Sequence, residues 1–350
     1  MQMNQIGGNS LAVSRIGIGC WAFGGGAYWG QQSQRDVERV VRAALDSGVN
    51  FFDTARMYND GESEKALGTA LTGVRHQAVV CSKVSPAKAY AAALRSECEQ
   101  SLRNLGTDYL DLYMLHWPIN PAGIRHFTDD EAVIAHPPTA EEAFATLAAL
   151  QKEGKIREIG LSNHGLTQME QALALCPGVA ANELPYSLIS RAIEAEILPF
   201  CRRQRVGVIA SMTLAQGVLA GIYAKPEDVR PHQAHSRHFA QERGQGTSRH
   251  YENGAEEEVF ATVDVLRALS AELGVTAAQL ALAWVLQNQD ICCALVGSRN
   301  EAQLRDNLAA AALVLPPDAV AQLDAVSQKV WDKLGNNPDY YENTSASRIY

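Results

Sequence analysis

Four residues carry the chemistry that this sequence suggests. Asp53 and Tyr58 lie in the run Phe51-Phe52-Asp53-Thr54-Ala55-Arg56-Met57-Tyr58, Lys83 in Ser82-Lys83-Val84, and His116 in Leu115-His116-Trp117-Pro118. A carboxylate, a phenol, an ammonium and an imidazole together can deliver a proton to a carbonyl oxygen. Negative charge that builds on such an oxygen calls for an acid within hydrogen-bond reach. A free tyrosine, with a pKa of about 10, releases its proton poorly at neutral pH. A neighbouring ammonium favours the phenolate, and a carboxylate beside the ammonium keeps it charged and in place. Lys83 and Asp53 are the candidates for those tasks, and His116 for orienting the carbonyl and sharing the proton work. Each residue alone has a plainer explanation. Asp53 could cap a helix, Tyr58 could be a packed aromatic, Lys83 a solvated loop residue and His116 a satisfied buried histidine. Their shared position at strand ends argues for the joint reading.

The elements that must position them follow from periodicity. Short apolar runs read as buried strands over 16–20, 49–52, 78–81, 110–115, 156–161, 179–182, 206–210 and 291–296. Helical patterns fill the intervals over 33–47, 63–71, 87–105, 139–153, 167–175, 191–203, 256–273 and 277–288. This alternation implies a parallel α/β sheet, and eight strands close a (β/α)8 TIM barrel. Side chains at the carboxyl ends of barrel strands converge on one mouth, where such folds keep their chemistry. Gly48, Gly106, Gly154 and Gly274 follow helical runs where a left-handed cap is expected. Residues 120–138 and 225–254 are long for barrel loops and read as lids or binding loops. The tail over 331–350 reads as irregular. With no linker and no repeat beyond the βα unit, one domain is expected to span residues 1–350.

Composition narrows the class of partner. At 350 residues and 47% apolar content, the chain can bury a full core. A net charge of -9 without any Lys/Arg-rich block argues against nucleic acid or an anionic membrane. The seven scattered cysteines form no Cys-x-x-Cys, and Cys81, Cys292 and Cys293 sit in apolar runs, so they read as reduced core thiols. The start shows neither the basic region nor the apolar stretch of a signal peptide. A cytoplasmic protein is expected.

The order of motifs resembles one known family. Phe-Phe-Asp-Thr-Ala-x-x-Tyr, then Gly61-Glu62-Ser63-Glu64 and Leu67-Gly68, is similar to the signature of the aldo-keto reductase superfamily. The likeness continues through Lys83, His116-Trp117-Pro118, Gly160-Leu161-Ser162-Asn163, Leu214-Ala215-Gln216-Gly217-Val218-Leu219 and Gly297-Ser298-Arg299 with Gln303 and Asn307. It implies an oxidoreductase that moves a hydride between NADP(H) and a small carbonyl or sugar-like substrate, with Asp53, Tyr58, Lys83 and His116 in the roles above. No Gly-x-Gly-x-x-Gly follows a strand, and Gly24-Gly25-Gly26 reads as a flexible turn. The resemblance implies instead a cofactor extended across the barrel mouth. Ser162 and Asn163 would hold the carboxamide, with Cys20, Trp21, Asp53, Glu183 and Ser211 also lining the cofactor. Leu214, Gln216 and Gly217 would border the pyrophosphate, and Gly297, Ser298, Arg299, Gln303 and Asn307 the adenosine end. Arg299 suits a 2′-phosphate, because guanidinium pairs bidentately with phosphate and helix N-termini favour anions.

Two positions depart from the family pattern. Glu183 stands in Asn182-Glu183-Leu184-Pro185-Tyr186-Ser187 where a glutamine is usual, and Ser211-Met212 where an aromatic usually stacks on the nicotinamide. An ionised Glu183 would place negative charge near the ring and favour the oxidised cofactor. Trp21, Trp29 and Trp117, next to strand ends, are expected to wall a substrate pocket with Tyr58 and His116. His232, His235, His238 and His250 lack an acidic or thiol partner at useful spacing, so no metal site is expected and the segment reads as a solvated or cofactor-covering loop. The favoured reading is an NADPH-dependent reductase of a small aldehyde or ketone, or its reversal on a sugar or polyol. The alternatives are an NAD-dependent sugar dehydrogenase on the same scaffold and a non-catalytic cofactor-binding or sensing protein.

Overall fold

Eight parallel strands close into a barrel in the computed structural model, which describes residues 1–6 and 11–350. An antiparallel hairpin of β1 (Met3–Gln5) and β2 (Ala12–Ser14) comes first. The barrel follows: β3 (Ile16–Gly19), β4 (Phe51–Asp53), β5 (Val79–Val84), β6 (Leu110–Leu115), β7 (Ile156–Ser162), β8 (Val179–Pro185), β9 (Gly207–Ser211) and β10 (Ile291–Val296). Neighbours in sequence are neighbours in the sheet, and β10 pairs with β3 to close it. The expected (β/α)8 architecture is the observed one. The hairpin was not anticipated.

Alternation along the strands sorts the barrel interior into layers. Phe51, Cys81, Leu112, Ala181, Ile209 and Cys293 form an apolar layer joined by Ile6 and Val13, so the hairpin end plugs the amino-terminal mouth. Gly17 makes room there, since a Cβ on it would stand 2.8 Å from the Phe51 ring and 2.9 Å from the Cys293 sulfur. Two residues further along the same strands the side chains turn polar: Asp53, Lys83 and Glu183. Strands β5 and β8 run further than their apolar patterns indicated. Lys83 and Glu183 are therefore buried residues within strands, not residues just past them.

The helices outside the barrel begin with α1 (Gln34–Asp46), α2 (Glu62–Ala70) and α3 (Ala91–Leu105). Ser33 caps α1 by accepting from the Asp36 amide, as a serine at that position should. The helix expected over 87–105 breaks at Tyr90, which is extended and separates a short 3-10 turn from α3. Residues 120–138 hold α4 (Pro121–Phe127) and α5 (Glu131–Ala135), a correction to the expected loop. Pro121 at the first helical position and Asn120 as its cap start α4. Then come α6 (Ala140–Lys152), α7 (Leu166–Leu175) and α8 (Ile197–Gln204), the last preceded by a 3-10 turn where 191–203 had read as continuous helix. The chain ends with α9 (Glu256–Leu273), α10 (Ala277–Gln287), α11 (Glu301–Ala309) and α12 (Pro317–Leu334). Gly48, Gly106, Gly154 and Gly274 all have positive φ, as expected. No single helix among the described residues is long and apolar enough to cross a membrane.

The segment over 225–254 and the tail pack together across the carboxyl-terminal mouth. Ala234, Arg237, His238, Phe239 and His250 are buried, so of the solvated or cofactor-covering loop that was expected, the solvated alternative is not the observed one. The Arg237 guanidinium donates to the Leu334 carbonyl, and its backbone N–H to the Tyr340 carbonyl. Arg348 and Asp339 form a fully buried ion pair in the tail at 2.6 Å. His235 stacks on Tyr341 with ring centres 4.9 Å apart, and His238 is hydrogen-bonded to the Ile189 carbonyl.

Candidate active site

Lys83 is the hub of the polar layer. Its ammonium pairs with Asp53 Oδ1, donates to the Thr54 carbonyl at 3.2 Å and reaches the Tyr58 hydroxyl at 3.4 Å. It also stands 3.3 Å from Glu183 Oε2. Asp53 ends β4, Lys83 comes from β5 and Glu183 from β8, so the closed barrel is what brings them together. Tyr58 follows β4 on a tight turn whose next residues, Asn59 and Asp60, have φ of 49° and 53°. Asn59 secures that turn with its side-chain amide, which donates to the Trp21 and Phe23 carbonyls. The Tyr58 ring meets His116 edge-on at 5.6 Å and lies near-parallel to Trp21 at 5.9 Å. The structure thus brings Asp53, Tyr58, Lys83 and His116 to one place.

Electrostatics refine the expected picture. Burial pushes the Tyr58 hydroxyl up, and the pull of Lys83 in the other direction does not overcome it. Lys83 alone therefore does not lower this tyrosine's pKa below its ordinary value. Burial works against the Lys83 ammonium, but Asp53 and then Glu183 outweigh it and hold the group charged. Burial, with Lys83 and His126 adding to it, keeps His116 well below the usual imidazole range. His116 is neutral at physiological pH, and its Nδ1 is buried with no hydrogen-bond partner. Glu183 is pushed up to about 8, first by burial and then by Asp53, against the pull of Lys83. A permanently ionised Glu183, which would have tightened the oxidised cofactor, does not follow from this environment.

The surrounding walls match the expected pocket in part. Trp21 packs against Trp29 at 5.3 Å and Tyr28 at 4.9 Å, giving an aromatic edge beside Tyr58. Tyr28 was not among the expected wall residues, although it adjoins Trp29 in sequence. Trp117 turns to the tail, where the Arg348 guanidinium lies 3.7 Å over its ring, and the Phe127 ring stands 6.3 Å from both Trp117 and His116. Trp117 is a contact of the tail more than a wall beside Tyr58. Phe127 carried no local signal, because the segment holding it had read as loop.

The residues expected to line a cofactor occupy one rim. Cys20 is buried, and its backbone N–H donates to the Asp53 carbonyl. Ser162 ends β7, and Asn163, with φ of 60°, donates to the His116 carbonyl and to Ser162 Oγ. Ser211 ends β9. Past Leu214, Ala215 and Gln216 have φ of 45° and 54°, and Gly217 has 99°. Such a run of left-handed backbone is costly for non-glycine residues and is found at ligand clamps. Gln216 accepts from the Tyr28 hydroxyl at 2.6 Å and donates to the Tyr341 hydroxyl at 3.4 Å, tying three segments over the mouth. Ser298 and Asn307 are joined at 3.1 Å, and Asn307 also donates to the Gly297 carbonyl. Arg299 precedes the Asn300 cap of α11, donates from Nε to Gln32 at 2.9 Å and is itself held by Gln303. Buried Glu183 Oε2 makes no hydrogen bond, and the Lys83 ammonium stands 3.3 Å away as an ion pair. Its unfilled hydrogen-bond capacity, beside Ser162 across the β7–β8 ladder, suits the NH₂ of a carboxamide.

A parallel barrel with this mouth is the architecture of a large enzyme superfamily, and residues 15–328 match the Aldo/keto reductase family. The chain belongs to the aldo-keto reductases, NAD(P)H-dependent oxidoreductases of small carbonyl and sugar substrates. It is 38% identical over 218 residues to the methylglyoxal reductase YeaE of Escherichia coli (strain K12), covering 61% of this chain and 69% of that protein. The NADH-specific methylglyoxal reductase of the same organism is 31% identical over 333 residues, with 89% and 93% covered. Among solved structures, an aldo/keto reductase from Klebsiella pneumoniae in complex with NADP and acetate superposes with a TM-score of 0.70. It is 31% identical, with 93% of this chain and 96% of that one covered.

Proposed function

We propose that this chain is an NADPH-dependent reductase of small aldehydes or ketones, reversible on the corresponding alcohols, with residues 1–350 acting as one domain. The observation that carries the reading is the contact of the Lys83 ammonium with Asp53 and Tyr58, beside an edge-on His116. Tyr58 donates the proton to the carbonyl oxygen. Lys83 stabilises the phenolate that remains, and Asp53 keeps Lys83 charged. His116, neutral and with an unfilled ring nitrogen, orients the carbonyl. The hydride comes from a reduced nicotinamide, whose carboxamide Ser162, Asn163 and Glu183 would hold. Ser211, Leu214, Gln216 and Gly217 would border the pyrophosphate, with Cys20 and Trp21 closing the near side.

Gly297, Ser298, Arg299, Gln303 and Asn307 would take the adenosine end. Gln32 is neutral, so the charge of Arg299 is not cancelled by its present partner. The relative solved in complex with NADP supports NADP(H) as the cofactor. The NADH-specific relative supports the alternative, an NAD-dependent enzyme on the same scaffold. Arg299→Ala separates the two. Hydrogen bonds to a charged group contribute about 1.5–3 kcal/mol, so the substitution should weaken NADPH binding roughly tenfold to a hundredfold and leave NADH nearly unchanged. Titration of both cofactors by fluorescence would read this directly. Equal weakening of both would assign Arg299 to structure, and a wild-type preference for NADH would favour the alternative. Two relatives are named for methylglyoxal, so a small 2-oxoaldehyde heads the panel of carbonyls with which consumption of NADPH and NADH should be compared. Consumption of neither cofactor with any carbonyl would leave a binding or sensing role.

A further inference from the structure

Lys83 serves two carboxyl groups, not one. Glu183 Oε2 lies 3.3 Å from its ammonium, and Asp53, paired with the same ammonium, is near enough for its charge to push the Glu183 carboxyl up. All three side chains are buried. The other ionisable groups facing Glu183 are Tyr58, Cys81 of β5 and Cys293 of β10, and burial pushes all three up, so they stay neutral. Among the described residues facing Glu183, Lys83 is therefore the one positive charge against two carboxyls. Two carboxylates at one buried site cannot both ionise cheaply, and one takes a proton. Asp53 has the closer pairing with the ammonium, which leaves the proton to Glu183.

We propose that Glu183 is the proton store of this site, recharging Tyr58 through Lys83. The relay rests on the carbonyl-reductase reading above; the stored proton does not. When the carbonyl oxygen takes its proton, the Tyr58 O–H bond breaks and the phenolate keeps the electron pair. A Lys83 N–H, 3.4 Å from the Tyr58 oxygen, gives its proton to the phenolate. The amine left behind takes the proton from the Glu183 carboxyl. In sum one proton moves from Glu183 to the carbonyl oxygen, and solvent returns it between turnovers. Glu183 ends negative beside the carboxamide site when the nicotinamide has become positive, so the two changes of charge offset each other. A glutamine in its place can hold the carboxamide but has no proton to give. Burial and Asp53 push the Glu183 carboxyl up far enough to keep the store loaded at neutral pH.

The test begins with the folded protein free of cofactor and substrate. Infrared spectroscopy across a pH series should show the carbonyl stretch of a protonated, buried carboxyl at neutral pH. The band should fade as pH rises through about 8 and be missing from Glu183→Gln. A wild type without that band, or a Glu183→Gln protein that retains it, overturns the store whether or not any carbonyl is reduced. If Glu183→Gln does not fold, Glu183→Asp serves instead: a moved titration midpoint supports the assignment and an unmoved one overturns it. For the relay, wild-type turnover should fall through the pH range in which the band fades, while the variant lacks that inflection. Superimposable pH profiles overturn the relay.

Discussion

Tyr58→Phe should lower turnover by a factor of about 10²–10⁴, the usual contribution of a positioned general acid. Cofactor affinity should stay nearly constant. The ring remains to pack against Trp21 and His116 at 5.9 and 5.6 Å, and only the hydroxyl beside Lys83 is lost. Steady-state kinetics and cofactor titration on the same preparation separate these effects. A variant that keeps more than about a tenth of the wild-type rate would mean that another group supplies the proton. His116 is the nearest alternative, but its neutrality limits it to the one proton on its ring.

Lys83→Met should be the most destabilising single change at this site. It leaves Asp53 and Glu183 buried without their cation, and breaking a buried ion pair by removing one partner costs about 3–5 kcal/mol. The loss should depend on pH in a defined direction. Glu183 has its folded pKa raised above the unfolded value, and removing the ammonium raises it further. The folded chain then holds a proton that the unfolded chain releases. Stability linked to that proton is fully present below the unfolded pKa and is lost as pH rises through the folded one. The variant should accordingly be closest to wild type in mild acid and fall furthest behind in alkali. Urea denaturation over a pH series checks this. A small loss that does not vary with pH would show that the carboxyls relax or admit water instead.

The barrel and the four residues at its mouth were legible in the sequence because both depend on local pattern. Each strand is a short apolar run, and the polar residues sit at or just after its carboxyl end or, as with Lys83, in its last residues, so alternation and spacing point to them. What escaped depends on contacts between distant parts of the chain. The apolar run of β8 stops at Asn182, yet the strand continues to Pro185 because β7 pairs with it as far as Glu183 and β9 as far as Pro185. Glu183 is therefore inside the barrel and against Lys83, a placement that no local pattern signals. Trp117 turns to the tail because Arg348, more than two hundred residues away, lies over its ring. The segment over 225–254 looked solvated from its histidines and arginines. Its guanidiniums and imidazoles find partners in the tail, at the end of α12 and in the segment after β8, which local composition cannot reveal. The Tyr58 hydroxyl was expected to be made more acidic by Lys83, and the enclosing barrel reverses the balance by removing water.

The central claim is that this mouth passes a hydride to a carbonyl carbon while Tyr58 protonates the oxygen. NADPH carrying deuterium at its transferable position, incubated with the wild-type protein and a small aldehyde, tests it most directly. The expected product is an alcohol with one deuterium on its carbinol carbon, formed in step with cofactor oxidation and suppressed in Tyr58→Phe. Bound cofactor that stays reduced with every carbonyl offered, or an alcohol without the label, would contradict it.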